Sequence, residues 1–399
     1  MNFKVEAKKI ENQIVNWRRD LHKIPEIGLD TFKTSKYIMA VLDDLNIEYS
    51  KVGCENGIVA QIVKDKYSNC KTFAIRADID GLEIEENTGL TFSSIHKGRM
   101  HACGHDAHTA MLLGAAKILS EKREILEGNV KFIFQPGEEY PGGAKKMIED
   151  GALKKPRVNA IIGLHINNGS IFEEVQSGKI GIKSGPTMAS LDRFTVKIKG
   201  RGGHAAWPHK TVDPVAISAS VIENFQNLIS REINPLNPGV ISVCMINGGT
   251  TYNVIPEEVN LEGTARFLHK EDRKEIPKRM KDSSRAIAEG RKAKLIFNYI
   301  YGYPILVNSN NFTRFFEQCA KELLGEDNIV NLKNPVMGGD DMACFLEEIP
   351  GTYFILGAAK KKDQFYPHHH PKFNIDESVL WIGSALFAKT AWKWLLSNK

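Results

Sequence analysis

MHACGHDAHTAM, residues 100–111, sets His101, Cys103, His105, Asp106 and His108 within eight positions and runs into an apolar stretch, Met111 to Leu119, with helical character. A thiolate and an imidazole two residues apart in a glycine-hinged turn can face one ion. Cys-x-His alone also suits a helix-capping loop whose histidines satisfy backbone carbonyls. The density of His, Cys and Asp here favours a metal site. Three other segments look built to converge on it: Gly137-Glu138-Glu139, Gly163-Leu164-His165 and Pro367-His368-His369-His370.

Working outward, Ile10, Ile14, Trp17 and Leu21 fall at helical spacing before Pro25, and a second helix carries Tyr37, Ile38, Val41, Leu42 and Leu45. Ile58 to Val63, Thr72 to Ala77, Asn129 to Phe134, Ala160 to Leu164 and Tyr353 to Leu356 read as buried strands; helices are expected around Ala144 to Ile148, at Phe312 to Leu324, and from Asp376-Glu377 to Trp394. Alternation of strand and helix predicts a largely parallel α/β sheet covered on both faces. Ligand sites in such sheets lie off the carboxyl ends of strands. Asp78, Glu138-Glu139 and His165 each follow such an end.

From about Leu191 the pattern becomes strand, helix, strand, strand, helix, strand, the ferredoxin-like split unit. It predicts strands at Phe194 to Lys199, Gly239 to Ile246, Val259 to Phe267 and Lys294 to Tyr299, with helices at Val215 to Ile233 and Glu271 to Lys292. Pro277 should sit near the first turn of the second helix or kink it. The expected domains are 1–186 and 303–399, forming one catalytic body, and 187–302, inserted as a lid. The loop from Asp363 to Pro371 carries the triple histidine, and Gly338 to Asp341 forms a tight turn opening a short helix.

The 399 residues exceed what one core usually holds. At 42% hydrophobic and 25% charged, the composition is that of a folded soluble chain. No apolar run approaches the ~18 residues that span a bilayer, and the charged start MNFKVEAKKIENQ lacks a signal-peptide core, so a cytoplasmic protein without membrane contact is expected. The six cysteines are scattered singly, which argues against a disulfide framework. The net charge of +5 is spread out, with short clusters only at Lys8-Lys9 and Lys360-Lys362, so no nucleic-acid partner is expected.

Adjacent glutamates on an irregular backbone point in different directions, so one can bind metal while the other takes a proton from water. Glu138-Glu139 could equally be a solvated acidic turn, and His165 a satisfied core histidine. Asp78 and Asp80 could orient ligand histidines or simply form a turn. Glycines in Gly200-Arg201-Gly202-Gly203-His204 permit close approach to a substrate, and His204 could donate to a developing oxyanion. Asn253 and Arg266 could hold a substrate carboxylate.

The chain resembles the M20 metallopeptidase family, in its amidohydrolase branch of hippurate hydrolases, N-acyl-amino-acid deacylases and indole-acetyl-amino-acid hydrolases. The matching segments are WRRDLHKIPEIGLDTFKTS, RADIDGLEI, MHACGHDAHTAM, FIFQPGEEYPGGAKKMIEDGAL, GLHI, GRGGHAAWPH, NVIPEEV, GGDDMA and HHHPKFNIDE, spanning residues 17 to 377. The resemblance implies a zinc-peptidase-like catalytic domain with a ferredoxin-like lid that mediates a homodimer, or a tetramer. It implies two divalent ions per subunit, manganese or zinc foremost and cobalt or nickel also admissible, held by Cys103, His105, Glu139, His165 and His369, with Glu138 as general base. The branch places its last ligand two residues before a proline, which selects His369 over His368 and His370. His204 resembles the family residue that reaches a partner subunit's active site. The chain departs from the family with Asp340-Asp341 where Glu-Asp is usual, and with Tyr252 before Asn-Val-Ile-Pro. The implied reaction is hydrolysis of an N-acyl amino acid; a metallo-dipeptidase or carboxypeptidase and a non-catalytic metal-dependent binding protein are the rivals.

Overall fold

The computed structural model describes residues 1–64, 70–360 and 365–398. Lys361 and Lys362 of the basic cluster, and the first two residues of the 363–371 loop, lie outside them. The chain divides into two units: Met1–Thr187 with Val307–Asn334 and Asp340–Lys399, and Met188–Leu306 with Pro335–Gly339. Among the described residues no helix is long and apolar enough to cross a membrane.

The first unit is built on an eight-stranded sheet. Its strands run in spatial order Glu48–Lys51, Ile58–Ile62, Asn129–Gln135, Thr72–Asp78, Ala160–Asn167, Gly351–Gly357, Ile180–Ile182 and Ile329–Asn331. Every residue of Thr72–Asp78, Asn129–Gln135, Ala160–Asn167 and Gly351–Gly357 is buried. That is why these segments read as apolar runs rather than alternating patterns. They pair in parallel with one another. The expected parallel pairing runs through this centre and recurs at one edge, where Ile180–Ile182 and Ile329–Asn331 are parallel. Ile58–Ile62 and Glu48–Lys51 add on antiparallel at one side, and Ile180–Ile182 is antiparallel to Gly351–Gly357 at the other. The short link from Lys51 to Ile58 permits a hairpin, whereas parallel pairing needs a long crossover.

Helix His105–Ser120 is buried at every position but Lys117; its first turns carry His105, Asp106, His108 and Thr109 to the site, and beyond them it is apolar nearly all round. It crosses Leu380–Ser397, where Ser384 Oγ donates to Met111 O at 2.9 Å. That final helix begins later than the sequence suggests, because Glu377–Val379 forms a single 3-10 turn first.

The second unit carries a four-stranded antiparallel sheet in the order Gly239–Asn247, Glu258–Phe267, Leu191–Lys199, Lys294–Tyr303. With helices Pro214–Arg231 and Lys270–Gly290 this is the ferredoxin-like arrangement. Its core is Phe194, Val196, Ile198, Val221, Phe225, Leu261 and their neighbours. Pro277 stands inside helix Lys270–Gly290, beyond the first turn. Residues 335–339, read from sequence as part of the resumed first domain, cluster with this unit. Val336 bridges Met188, and Met337 O accepts from Arg266 at 3.1 Å.

Candidate metal centre

The site is assembled at the carboxyl ends of the central strands of the first unit. Thr72–Asp78 delivers Asp78 and Asp80, Asn129–Gln135 delivers Glu138 and Glu139, and Ala160–Asn167 carries His165 near its end. Gly104 turns the chain from Cys103 into helix His105–Ser120 with φ of 93°, and a Cβ there would run into Ile166. Gly137 likewise takes φ of 74° just before the glutamate pair. Positive φ at both places is the reason for glycine.

Ligating atoms of Cys103, His105 and His165 lie within 4.8 Å of one another. So do those of Cys103, Glu139 and His369, and those of His105, Glu138 and Glu139. These overlapping groups bring together all six residues singled out from the sequence in this region. The closest pairs are Cys103 Sγ to His165 Nε2 at 3.4 Å and Glu139 Oε1 to His369 Nε2 at 3.2 Å.

Hydrogen bonds fix how the imidazoles face. His105 Nδ1 is 2.9 Å from Asp80 O, and His165 Nδ1 is 2.7 Å from Ile166 O. A carbonyl only accepts, so both Nδ1 atoms donate. His165 Nε2 is left facing Cys103, and His105 Nε2 is buried with no hydrogen-bond partner among the described residues, 4.0 Å from Glu138 Oε2. A buried nitrogen aimed towards a thiol and carboxylates is what a cation site requires. His108 differs. Its Nδ1 donates to Asp78 Oδ1 at 2.6 Å and its Nε2 accepts from Ile166 N at 2.9 Å, so both ring nitrogens are occupied and it ties helix to strand.

Asp80 is an orienting group on a second count, since its carboxylate accepts the backbone amides of Glu138 and Glu139 at 3.0 and 3.1 Å. Behind it lies a buried platform that sequence reasoning missed. Arg76 meets Asp78 at 2.9 Å, Asp341 at 2.8 Å and Asp340 at 3.3 Å, and its Nε donates to Gln135 at 2.8 Å. Asp341 also accepts the amides of Gly143 and Ala144 at 3.0 and 2.9 Å, clamping the far end of the glutamate turn. The available signal was an arginine inside the apolar strand FAIRAD.

The electrostatics follow from crowding carboxylates out of water. Burial first, then Asp340 and Glu139, push the Glu138 carboxyl well above its ordinary range. Burial also opposes ionisation of Glu139, but the His369 hydrogen bond and the His105 charge outweigh it and hold Glu139 low. At His105 burial acts downward, yet Asp78, Asp80 and Glu139 raise it to about 10. Burial, then His108, lowers His165 to about 4. Asp78, Asp340 and Asp341 share the one Arg76 guanidinium, while Glu138 and Glu139 gather beside His105, so further positive charge is favoured among these carboxylates.

His368 sits with both ring nitrogens buried and without a hydrogen-bond partner among the described residues, its ring 5.3 Å from that of His165. The His369 side chain remains about half exposed, and its backbone takes φ of 63°.

His204, Asn253 and Arg266 all belong to the second unit. His204 pairs with Val254, and Ala205 N donates to Asn253 O at 3.1 Å, so His204 and Asn253 share one exposed turn pair. Arg266 does not join them. It lies eight positions past Glu258 on a strand rising about 3.4 Å per residue, so roughly 27 Å separates it from that end.

A family model described as peptidase family M20/M25/M40 matches residues 74–393. The N-acetylcysteine deacetylase of Bacillus subtilis is 38% identical over 385 residues, 96% of this chain and 97% of the relative. Thermostable carboxypeptidase 1 of Saccharolobus solfataricus is 37% identical, covering 100% of this chain and 98% of the relative. The crystal structure of a dinuclear metal-binding peptidase of the same family from Bacillus subtilis superposes with a TM-score of 0.83 at 36% identity, covering 98% of this chain and 99% of that one.

Proposed function

Because this chain belongs to peptidase family M20/M25/M40, we propose that it is a metal-dependent hydrolase that cleaves the amide bond of N-acyl amino acids, releasing a carboxylate and a free amino acid. The observation carrying this reading is the pairing of the unpartnered His105 Nε2, buried among Cys103, His165 and Glu139, with the adjacent buried carboxyl of Glu138. The donor set of thiolate, imidazole and carboxylate suits a pair of divalent ions held by Cys103, His105, Glu139, His165 and His369. When bound, such ions supply Lewis acidity to the scissile carbonyl and to the attacking water. Zinc fits the thiolate and imidazoles, and manganese fits the carboxylate-rich surroundings.

Glu138 acts as general base. His369 meets the neighbouring Glu139 at 3.2 Å, and the raised affinity of Glu138 for a proton suits it to take one from water and pass it to the leaving nitrogen. Asp80 holds the backbone of both glutamates, so the base cannot drift from the reacting water. His204 donates to the oxyanion. Ala206 N donates to its Nδ1 at 3.1 Å, which leaves the proton on Nε2. Since Arg266 lies near the far end of Glu258–Phe267 and His204 stands in a separate two-strand pairing just before Glu258, a homodimer is proposed in which a second copy contributes His204 and Asn253.

The carboxypeptidase relative favours a second reading, release of a C-terminal amino acid from a peptide. The chemistry at the departing amino acid is the same. A panel settles the choice: metal-stripped protein reloaded with zinc, manganese, cobalt or nickel, offered N-acyl amino acids, unblocked dipeptides and longer peptides, with free amino acid measured. Release from N-acyl amino acids only after metal loading is expected. Faster cleavage of unblocked dipeptides would make it a dipeptidase, faster cleavage of longer peptides a carboxypeptidase, and no release with metal bound a binding protein on a hydrolase scaffold.

A further inference from the structure

The second unit presents an aromatic side chain with no place in its core. Trp207 is 54% exposed, yet its ring stands 4.8 Å from the imidazole of His204 at an interplanar angle of 39°. Trp207 N donates to His204 O at 2.9 Å, and Pro208–Lys210 continues as a 3-10 turn, so the indole is carried on a tight and regular backbone. The Lys210 ammonium lies over the ring at 5.6 Å. Isolated exposed apolar residues are ordinary on protein surfaces. This one is unusual in what it adjoins, the donor proposed for the oxyanion.

Resting on the function proposed above, we infer that Trp207 is a specificity-determining residue that packs against the acyl group of the substrate and selects bulky apolar acyl chains, aryl or long alkyl, over acetyl. The geometry leads there in two steps. His204 Nε2 must point at the oxygen of the scissile carbonyl, so a ring tilted against that imidazole at 4.8 Å lies alongside a substituent of the carbonyl carbon. That carbon has two: the acyl chain and the departing amino acid. The amino acid brings a carboxylate that must keep its hydrogen bonds, whereas the acyl chain can be wholly apolar and gains by covering the indole. Contact with one added apolar group discriminates substrates by about 10–200-fold.

The test compares kcat/KM for N-benzoyl-alanine and N-acetyl-alanine in the metal-loaded full chain, its Trp207→Ala variant and its Trp207→Phe variant. The benzoyl-to-acetyl ratio should fall about tenfold or more in Trp207→Ala and be largely kept in Trp207→Phe, with the change carried mainly in KM. Equal losses for both substrates would mean that Trp207 acts only through His204, and would overturn the inference while leaving the function intact. So would a second series, with the acyl group fixed and the amino acid varied, if Trp207→Ala altered preference there instead. If the unaltered chain turned over neither substrate, the proposed function itself would fall, and this inference with it.

Discussion

His165 and His204 are both catalytic-site candidates, one in each unit, and their hydrogen bonds run in opposite senses. His165 is buried, and its Nδ1 donates to Ile166 O at 2.7 Å, which frees a lone pair on Nε2. His105 does the same through Asp80 O. His204 is exposed, and its Nδ1 accepts from Ala206 N at 3.1 Å, which leaves a proton on Nε2. The same side chain is thereby set up as a Lewis base in the first unit and as a hydrogen-bond donor in the second. One backbone atom, a carbonyl in one case and an amide in the other, decides which. The contrast also separates what holds each residue. His165 is fixed by a fully buried strand, whereas His204 depends on a two-residue pairing with Val254–Ile255.

The contrast can be broken most forcefully at Glu138. If the first unit both holds cations and moves the proton, Glu138→Gln should lower kcat on the order of 10⁴-fold, the upper end for a positioned proton-transfer group. Metal content by elemental analysis should stay that of the unaltered protein, and turnover retained with full metal would remove Glu138 from the base role. His204→Ala sharpens the other side. Losing one oxyanion donor should reduce kcat by about 10²–10³-fold, again without change in metal content. Were metal lost in His204→Ala, the assignment of His204 as a donor and not a ligand would be wrong.

The sequence carried the location of the site and not its orientation. Cys103, Glu138-Glu139 and His165 were legible because each follows or ends an apolar run, and strand ends in an open α/β sheet gather at one rim. His369 was singled out only through its offset from Pro371 in the family pattern; in the structure it lies 3.2 Å from Glu139. The carbonyls that orient His105 and His165 belong to Asp80 and Ile166, and no residue type announces which way a backbone oxygen points. Arg76 went unread although it is the one charge inside an apolar strand, because its aspartate partners are up to 265 residues away in the chain. Arg266 and Asn253 looked like one carboxylate site because both are polar and both lie on the inserted unit. Antiparallel register along Glu258–Phe267 puts them at opposite ends. The antiparallel edges of the large sheet were invisible for a related reason: short strands such as Ile180–Ile182 carry too few residues to show a pattern.

The smallest expected effect asks whether the first unit's histidines are held without help from cations. Behind helix His105–Ser120, His22 Nδ1 meets Asp106 Oδ2 at 2.7 Å and His22 Nε2 meets Glu86 Oε1 at 3.3 Å, while Arg18 Nε meets Asp106 at 2.7 Å. This brace grips the first turn of the helix that begins with His105. Burial works against ionisation of Glu86, but the hydrogen bond from His22, its charge, and the Ser94 amide together outweigh it and hold the carboxyl at about 2, below its ordinary 4.5. A carboxyl depressed on folding stabilises the fold above its unfolded value, and that contribution is lost as pH falls from about 4.5 towards 2. Metal-stripped protein should therefore show a melting temperature that declines across this window. In Glu86→Gln the decline should be shallower by roughly 2–4 °C, because the variant has no proton to take up there. Parallel curves for the two proteins would mean that the Glu86 contact adds nothing to the brace, and that the stiffness of the histidine site comes from the buried sheet alone.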